Sequence, residues 1–548
     1  MKKIIVIIFF FISTCLFSQQ IDTLYILQTT DVHGRIYPYD YFNDQPAKVG
    51  FAQVYSRIKQ YRAKHNNVIL VDAGDVLQGT PLAHYFNKIE TDKPNPLILT
   101  MNHMDYDAFA VGNHEIEQGV TVYTRVEKES DFPWLSANSE LDDGTTFFKP
   151  YTIVKENDFL IGIIGLTTPG IPTMLDTTYY PGITWKDMVK TAQKFATILY
   201  PRVDILVGLF HSGFNAKEDA YKSEKLGLPV ANASGLVADK IPEFDIVFGG
   251  HSHKIVPNDY KQGLKYMSKE KSLNKPLQIN SGCWAKNLGV ARLILEQVEG
   301  TWKIIDKDGW VESVEDEEPA EEILKLTEYY HNKMLEYIRG EIAILTDTLT
   351  GKYSRFKDTP MIEIINKAQM DYTDADISFA ACFNENLYVP PGPFRVKDIY
   401  AMYPYENFLY VIKMTGQQIK DFLEYSSRYY IWDGCDVNPN PDIAGYQYDM
   451  AEGISYMIDA TEEIGKRIKE LKFLQTGKPL EMNQIYKVAI NSYRANGGGG
   501  HINAAGAKSA PIIFQSSEEM RNILTDYIKD IGTITPETDQ NWKIIKGK

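Results

Sequence analysis

The chain has 548 residues, of which 44% are hydrophobic and 24% are charged, and its formal net charge is −15. An apolar fraction near one half excludes a disordered or collagen-like chain, and the length predicts about two to four domains. The acidic balance argues against binding to a nucleic-acid polymer, because that function needs a basic surface stripe. A small phosphorylated ligand remains compatible with it, since one local positive site can override a negative overall field.

The first segment has the pattern of a secretory signal peptide. Two lysines precede an apolar run over residues 4–17, and the small residue Ser18 follows it. We therefore predict a signal peptide over residues 1–18 and an exported, periplasmic or secreted protein. The run is shorter than the about 20 residues of a membrane span, and no second long run follows, which predicts no transmembrane segment. The alternative is a lipid anchor at Cys15, although the residues before it form a poor acylation signal.

Three cysteines follow that segment: Cys283, Cys382 and Cys435. Their number is odd and none lies in a CxxC pattern, so a disulfide framework is not the stabilising strategy, although one bridge is possible. None of them lies in a motif with a base, which argues against a thiol nucleophile.

Residues 21–311 alternate short apolar runs with amphipathic segments, which is the pattern of a layered α/β domain. The runs are rich in β-branched and aromatic residues and end at Gly, Asp or Asn, as buried strands do. They predict strands over residues 23–28, 67–72, 106–112, 159–166, 203–210 and 244–250. Amphipathic helices are predicted between them over residues 49–65 and 185–200.

The chain changes character at residue 312. An acidic run leads into a helical pattern, with Pro319 near its start and Gly340 at its end, so residues 312–340 are predicted to form a linker helix. Residues 341–535 then form a second α/β region with its own apolar segments.

Potential metal ligands follow five of the six predicted strands. They are Asp31, His33, Asp75, Asn113, His114, Glu117, His211, His251 and His253. Ligands bind at the carboxyl edge of open parallel sheets, which is where these residues are expected to meet. Each motif alone is weak, because a lone histidine is more often structural than a ligand. The ordered set of five, each after a strand, favours a metal site.

The residue types limit the metal. Mixed imidazole and carboxylate ligands suit Zn, Mn, Fe or Co and not an all-oxygen calcium site. The donors are too many for one tetrahedral ion, and they fit two ions about 3.5–4 Å apart that share a carboxylate, as in phosphoester hydrolysis. The Asp31-x-His33 and His251-x-His253 spacings are expected to place both side chains of each pair on one side of an extended backbone.

In this order, the motifs DVHG, GD, GNHE, HSG and GHSH resemble the calcineurin-like metallophosphoesterase family. The resemblance is to its exported branch of 5′-nucleotidases and 2′,3′-cyclic-nucleotide 2′-phosphodiesterases (3′-nucleotidases), and it covers nearly all of the chain after the signal segment. It implies an N-terminal four-layer α/β/β/α catalytic domain and a C-terminal α/β nucleotide-binding domain, joined by a helix.

The resemblance implies a role for each candidate. One divalent ion would be held by Asp31, His33, Asp75 and His253. The other would share Asp75 and be held by Asn113, His211 and His251. His114 would act on the phosphate or the leaving-group oxygen, while metal-activated water attacks phosphorus in line. Glu117 stands where exported 5′-nucleotidases often carry Asp, so it either pairs with His114 or is a solvated helix residue.

The resemblance also implies a base pocket in the second region. Tyr405 and Tyr493 would sandwich the base, Asn407 would hydrogen-bond to it, and Gly453 would line the pocket. Stacking of this kind tolerates any base. The run over residues 497–500 is either part of this motif or a flexible loop, and a P-loop is disfavoured because no Lys-Ser/Thr follows it.

The substrate preference rests on one difference and on residues 39–44, 80–86, 446–459 and 491–498, which resemble the cyclic-phosphodiesterase branch, whereas GNHEIEQG departs from it. The 5′-nucleotidases carry a Gly-Gly-x-Arg element before the stacking segment, whereas residues 378–387 of this chain contain no arginine. This difference favours an enzyme that opens 2′,3′-cyclic nucleotides and dephosphorylates 3′-nucleotides. The alternatives are a 5′-nucleotidase or nucleotide-sugar hydrolase, a nucleotide-binding module without turnover, and an adhesion protein that reuses the fold. The intact ligand set argues against the last two, and no protein partner is evident.

Overall fold

The structure is a computed structural model that describes residues 20–546 apart from 219–222, 224–226 and 270–271. The predicted signal segment, residues 1–18, lies outside the described residues. Among the described residues, no helix is both long enough and apolar enough to cross a membrane.

In the described part of the N-terminal region, two pairs of two-residue strands form small sheets of their own, Tyr39–Asp40 with Gln45–Pro46 and Ser139–Glu140 with Thr184–Trp185. The other strands form two large sheets. In chain order these strands are β1 (Ile21–Thr29), β2 (Val68–Asp72), β3 (Ala108–Ala110), β4 (Trp134–Leu135), β5 (Tyr151–Glu156), β6 (Phe159–Thr167), β7 (Ile205–His211), β8 (Ile246–Phe248), β9 (Ile255–Val256), β10 (Tyr260–Gln262), β11 (Lys265–Met267), β12 (Leu277–Ser281), β13 (Asn287–Val298) and β14 (Thr301–Ser313). The first sheet has the order β10-β11-β14-β13-β1-β2-β3-β4, and the second has the order β9-β12-β8-β7-β6-β5. All six strands predicted from the sequence are present.

Strands β1 to β4 run parallel in the first sheet, and β6, β7, β8 and β12 run parallel in the second. The carboxyl ends of these two parallel sets carry the predicted site residues. The structure brings together the carboxyl edges of the two sheets, as the four-layer architecture requires.

Helices cover the outer face of each sheet. The helices of this region are α1 (Phe51–Lys64), α2 (Pro81–His84), α3 (Pro96–His103), α4 (Asn113–Glu117), α5 (Val120–Glu129), α6 (Met188–Leu199) and α7 (Ser234–Lys240). Separate apolar clusters fill the space between α1, α3, α5 and the first sheet, between the two sheets, and between α6, α7 and the second sheet. Three apolar interfaces separate four layers of helices and sheets, so the expected α/β/β/α architecture is confirmed.

The connection to the second region is two helices and not one. Helix α8 (Glu321–Leu326) and helix α9 (Glu328–Ile338) meet at Thr327, whose hydroxyl donates to the carbonyl oxygen of Ile323 at 2.7 Å. A threonine that bonds back to the preceding turn competes with the helix backbone. Both helices pack on the N-terminal core through buried side chains such as Ile323 and Met334.

The described part of the C-terminal region has three larger sheets and two two-stranded ones, which pair Leu349–Thr350 with Tyr388–Val389 and Tyr430–Trp432 with Val437–Pro439. The strands of the larger sheets are β15 (Glu341–Leu345), β16 (Ile377–Ala381), β17 (Gly392–Arg395), β18 (Phe408–Thr415), β19 (Asp449–Glu452), β20 (Ile454–Asp459), β21 (Ile468–Phe473), β22 (Lys478–Pro479), β23 (Ile485–Asn491), β24 (Ile512–Glu519), β25 (Thr533–Ile534) and β26 (Trp542–Ile545). Their orders are β19-β16-β23-β18-β24, β22-β21-β20-β26 and β17-β15-β25. Strand β26 pairs with β20, so the sheets extend past the predicted boundary at residue 535.

Helices close this region around one core. They are α10 (Pro360–Thr373), α11 (Val396–Met402), α12 (Gly416–Ser426), α13 (Ser492–Ala495), α14 (His501–Ala504) and α15 (Met520–Ile531). Helix α10 packs on β16 and on α15, and its apolar residues belong to the single C-terminal cluster. The turn before β18 and the start of α13, at the end of β23, face the N-terminal region and carry the predicted base-pocket residues.

Candidate functional site

The predicted ligands lie on loops that leave the two sheets side by side. The amide of Asp31 donates to the carbonyl oxygen of Gly74 at 2.8 Å, and the amide of His33 donates to that of Asp75 at 3.0 Å. The loops after β1 and β2 therefore run together beyond the sheet. The amide of His251, after β8 in the second sheet, donates to the carboxylate of Asp31 at 3.1 Å and joins the two sheets.

Five of the predicted ligands have a left-handed backbone, including all four residues of the two pairs that were predicted to be extended. Asp31, His33, Asp75, His251 and His253 have φ angles of 50°, 50°, 62°, 65° and 57°. Non-glycine residues adopt this left-handed conformation rarely, and such strain concentrates at functional sites. The prediction of alternating extended pairs is therefore wrong, because each loop turns sharply to aim its side chains back over the sheet edge.

A first group of donors consists of Asp31, His33 and His253, whose donor atoms all lie within 4.8 Å of one another. Nε2 of His253 lies 3.3 Å from Oδ1 of Asp31, and the Nε2 atoms of His33 and His253 are 2.9 Å apart. Two imidazole nitrogens and a buried carboxylate at this spacing can share one cation.

A second group, with the same spacing, consists of Asp75, His211 and His251. Nε2 of His211 lies 3.0 Å from Oδ2 of Asp75 and 3.1 Å from Oδ1 of Asn113. The structure thus brings the seven predicted metal ligands close together: six form these two groups, and Asn113 contacts His211 of the second group. The sharing of Asp75 between two ions, which the resemblance implies, stays a prediction.

Backbone carbonyls fix the orientation of two imidazoles. Nδ1 of His33 lies 2.9 Å from the carbonyl oxygen of Gln78, and Nδ1 of His211 lies 2.7 Å from that of Ala73. A carbonyl can only accept, so Nδ1 carries a proton, and in the neutral ring Nε2 is left with a lone pair. Metal-binding histidines are usually held by this second contact.

The protonation states of the site residues are also compatible with bound cations. Burial lowers the pKa of His33 and of His251 to about 4, so both imidazoles are neutral at pH 7 and available as ligands. Burial also lowers the pKa of His211, but Asp75 and Asp31 outweigh it and raise that pKa to about 9. The two carboxylates therefore draw protons to the site, and divalent ions supply the same positive charge.

Glu115 is a buried carboxylate at the site that was not predicted from the sequence. It accepts from the backbone amides of Asp75, Val76, Leu77 and Gly112 at 2.7–3.0 Å. It thereby fixes the loop after β2 against the start of α4. In the sequence it is one of two glutamates beside His114, and only its complete burial distinguishes it.

Two glycines permit this close packing. Gly74 has a φ of 96°, and a Cβ there would lie 2.8 Å from the amide nitrogen of Gly112. A Cβ at Gly112 would lie 2.2 Å from Oδ1 of Asp75. Any larger residue would displace the Asp75 carboxylate.

His114 and Glu117 lie on α4, one turn apart. Nδ1 of His114 lies 2.5 Å from Oε2 of Glu117, and Nε2 lies 3.9 Å from Oδ2 of Asp75. Burial lowers the pKa of His114, but Asp75 and Glu117 outweigh it and raise that pKa to about 10. The longer glutamate side chain therefore reaches the imidazole from this position.

A cavity of about 540 Å³ connects this centre to the C-terminal region. On the N-terminal side it is lined by Asp75, Asn113, His114, Glu117, His251 and His253. On the C-terminal side it is lined by Tyr405, Asn407 and Tyr493. One continuous space between the two regions is thus lined by members of both donor groups and by three of the predicted base-pocket residues.

Tyr405 and Tyr493 each keep 45% of their surface exposed, which leaves ring area free for a ligand. The edge of Phe383 supports Tyr405 at 5.0 Å between ring centroids, and a Cβ at Gly498 would lie 2.6 Å from the ring of Tyr493. Asn407 donates to the hydroxyl of Tyr403 at 3.3 Å and leaves its amide oxygen available.

Further cavity residues come from a loop that gave no signal in the sequence. The segment after β6 contributes Met174, Leu175, Asp176 and Tyr179 to the cavity. Strand β6 was the one predicted strand that no metal ligand followed. Its long connection supplies apolar and aromatic side chains, which sequence patterns do not distinguish from core residues.

Two predictions for the second region need correction. Gly453 does not line the cavity; it has a φ of 84° in the turn between β19 and β20, where a Cβ would lie 2.3 Å from the carbonyl oxygen of Asp376. The glycine run is an ordered turn, in which Gly497, Gly499 and Gly500 all have positive φ. Glycine suits these positions because a positive φ costs it no steric strain.

Comparison with known proteins agrees with this architecture. The family model of the calcineurin-like phosphoesterases matches residues 24–255, and that of the 5′-nucleotidase C-terminal domain matches residues 341–506. The two-sheet fold with its cluster of imidazole and carboxylate donors defines a metal-dependent phosphoesterase. The chain belongs to the calcineurin-like phosphoesterases that carry a 5′-nucleotidase C-terminal domain.

Several relatives match over nearly the whole chain. The trifunctional nucleotide phosphoesterase YfkN of Bacillus subtilis is 29% identical over 95% of this chain, which spans 39% of YfkN. The 2′,3′-cyclic-nucleotide 2′-phosphodiesterase/3′-nucleotidase of Haemophilus influenzae is 28% identical over 95% of this chain and 87% of its own length. A snake venom 5′-nucleotidase of Crotalus adamanteus is 25% identical over 94% and 88%.

A solved structure shares the fold. A Staphylococcus aureus protein assigned as a 5′-nucleotidase and solved with α-ketoglutarate superposes with a TM-score of 0.78, over 95% of this chain and 99% of its own. Its sequence identity is 22%, so the likeness concerns architecture.

Proposed function

We propose that the protein is an exported two-metal phosphohydrolase that opens 2′,3′-cyclic nucleotides and dephosphorylates 3′-nucleotides. The observation that carries this proposal is the single cavity that joins the two donor groups to Tyr405 and Tyr493. A nucleotide whose base stacks between the tyrosines would present its phosphate to the donors. The proposed catalytic domain begins at residue 21 and ends with β14 at Ser313, and the proposed substrate-binding domain runs from residue 341 to the end of β26, with residues 314–340 between them.

The proposed ligand sets extend the two groups, with Asp75 shared by both ions and Asn113 added to the second. Asp31, His33, Asp75 and His253 would hold one ion, and Asp75, Asn113, His211 and His251 would hold the other. Divalent ions bound there supply Lewis acidity, which lowers the pKa of water and stabilises negative charge on phosphoryl oxygens. Zn, Mn, Co and Fe all suit this mixture of imidazole and carboxylate donors.

Residues of the chain orient the substrate and donate a proton to it. Glu117 accepts from Nδ1 of His114, which leaves the Nε2–H of the imidazolium to donate to a phosphoryl or leaving-group oxygen. A fixed donor of this kind stabilises the charge that develops in the transition state. Tyr405 and Tyr493 hold the base and keep water from that end of the cavity.

The preference for 2′,3′-cyclic and 3′-nucleotides is supported by the second region. Its segment over residues 378–387 lacks arginine, and the arginine after Tyr493 is already engaged. Arg494 is 2% exposed and donates to both carboxylate oxygens of Asp449, at 2.7 and 3.0 Å. The pocket thus offers a nucleotide no unpaired guanidinium from either segment.

A competition experiment on the metal-reconstituted protein tests this preference. With 3′-AMP and 5′-AMP in one reaction, we expect 3′-AMP to be consumed first. Faster consumption of 5′-AMP would instead support the second candidate, a 5′-nucleotidase, the activity by which the snake venom relative is named.

A further inference from the structure

Buried charged residues lie where the two regions meet, beside the cavity but outside the donor groups. His84, Glu406, Glu519 and Arg521 are each no more than 6% exposed. His84 belongs to α2 of the N-terminal region, and the other three belong to the C-terminal region. A buried charge is costly unless it is paired, so these groups are expected to hold one another in place.

Within this cluster, two polar contacts join the N-terminal region to the C-terminal region. Nδ1 of His84 lies 3.2 Å from Oε2 of Glu519. The side-chain amide of Gln118 donates to Oε2 of Glu406 at 3.4 Å and to the backbone carbonyl of His114 at 3.3 Å. On the C-terminal side, the guanidinium of Arg521 lies 2.8 Å from Glu406 and 3.3 Å from Glu519 and joins the two carboxylates.

His84, Glu406 and Glu519 also have the spacing of a metal site. Arg521 argues against that alternative, because its permanent charge already compensates one carboxylate and bridges both. Its guanidinium also stacks on the ring of Tyr400 at 4.7 Å, which fixes it in this position. The arrangement is therefore an ion-pair network, and a metal ion would have to displace the arginine.

The network is placed between the two halves of the proposed site. Glu406 stands between Tyr405 and Asn407 in the chain, and Gln118 ends the helix that carries His114. A chain of contacts thus runs from the segment of the base pocket, through Glu406 and Gln118, to the backbone of His114. Displacements of about 1 Å in an oriented site can lower the rate about 100-fold.

We propose that His84, Gln118, Glu406, Glu519 and Arg521 form an interdomain clamp that positions the base pocket over the phosphate-binding centre. The clamp residues are positioning residues: Glu406 also lines the cavity, but its carboxylate is engaged by Gln118 and Arg521. This inference rests on the proposed function, because it assumes that base and phosphate occupy the two ends of the cavity. A substrate without a base uses one end of the cavity only and does not need the clamp.

The test compares each nucleotide with a counterpart that lacks the base, on the metal-reconstituted full-length enzyme. The pairs are 2′,3′-cyclic AMP with 1-O-methylribose 2′,3′-cyclic phosphate, and 5′-AMP with ribose 5-phosphate. Within a pair the reacting ester is the same, so the ratio of the two kcat/KM values measures what the base pocket contributes.

In the His84→Leu and Gln118→Ala variants we expect this ratio to fall about 10-fold or more. Glu462→Gln is the matched control, because it breaks an exposed pair with Lys469 in the same region, and it should keep the wild-type ratio. If His84→Leu does not fold, as its melting curve will show, Gln118→Ala carries the test. A wild-type ratio in the folded clamp variants overturns the proposal, and so does an equal loss for both members of a pair.

Metal analysis addresses the remaining alternative. A third equivalent of bound metal that disappears in His84→Leu would overturn the clamp, because a metal would then occupy the place assigned to Arg521. The failure of the proposed function has a different result: wild-type enzyme that prefers 5′-AMP refutes the 3′ preference and leaves the 5′ pair to test the clamp.

Discussion

Nδ1 of His114 lies 2.5 Å from Oε2 of Glu117, across one turn of the helix that carries both residues. Because Nδ1 is engaged by Glu117, Nε2 is the only ring nitrogen of His114 that can donate to a substrate. It also places an acidic side chain where it favours the protonated imidazole. The first two predictions follow from this pair.

His114→Ala removes the proposed proton donor. General acid catalysis contributes about 10²–10⁴-fold, so we expect kcat to fall by that factor. Metal content, measured by mass spectrometry of the reconstituted protein, should stay at the wild-type level because His114 is in neither donor group. Phosphate release at the wild-type rate would contradict the assignment.

Glu117→Gln keeps the side chain but removes its charge. Glu117 is one of the groups that raise the pKa of His114. Without it that pKa falls, so the imidazolium is lost at a lower pH and the alkaline limb of the kcat profile should move to lower pH. An unchanged limb, with His114→Ala inactive, would show that Glu117 does not act on the imidazole.

Asp75→Asn removes the carboxylate that belongs to the second donor group and faces His114. We expect bound metal to fall below two equivalents and activity to be lost, with partial recovery at high metal concentration. Asp143→Asn, on an exposed loop, is the control and should bind metal as the wild type does. Two tightly bound equivalents in the Asp75 variant would exclude a shared carboxylate at this position.

Tyr405→Ala and Tyr493→Ala each remove one face of the proposed base sandwich. Stacking contributes about 1–3 kcal/mol per base, so KM for nucleotides should rise about 5–150-fold in either variant. The value for a base-less phosphate ester should not change. Tyr388→Ala is the control, since that ring is 69% exposed and outside the cavity. Unaltered nucleotide KM values in both variants would place the base elsewhere.

Glu115→Ala leaves four buried backbone amides without their acceptor. Hydrogen bonds to a charged group contribute about 1.5–3 kcal/mol each, so the free energy of unfolding should fall by at least about 3 kcal/mol. Denaturant unfolding of the Glu115→Ala and Glu341→Ala variants measures this, because Glu341 is exposed and tolerates truncation. Equal stability of the two variants would refute the structural role of Glu115.

The sequence predicted the strands and the set of ligands because both leave a local signature. Strand β7 is an apolar run with His211 at its end, and β8 is followed by the glycines that precede His251. Such patterns depend on neighbours in the chain. The two-sheet arrangement depends on pairing over long distances, such as β1 with β13, and no local pattern specifies it.

The predictions that were wrong or missing have different causes, which also lie in particular residues. The left-handed backbone of Asp31 and His33 is imposed by the adjacent loop after β2, which no residue of the DVHG motif reveals. Helix 312–340 was predicted as continuous because Thr327 is compatible with a helix, whereas in the fold its backbone has φ −108° and ψ 9° and leaves the helical conformation. Glu115 was missed because burial, which separates it from Glu117, is a property of the folded chain.

The central claim is that a base held between the tyrosines delivers a ribose 2′,3′-phosphate to the two donor groups. A time course of the products formed from 2′,3′-cyclic AMP tests it most directly. The account predicts that 3′-AMP appears first and is then converted to adenosine, and that both steps require added divalent metal. If 2′,3′-cyclic AMP is left intact while the same preparation hydrolyses 5′-AMP, the account is contradicted.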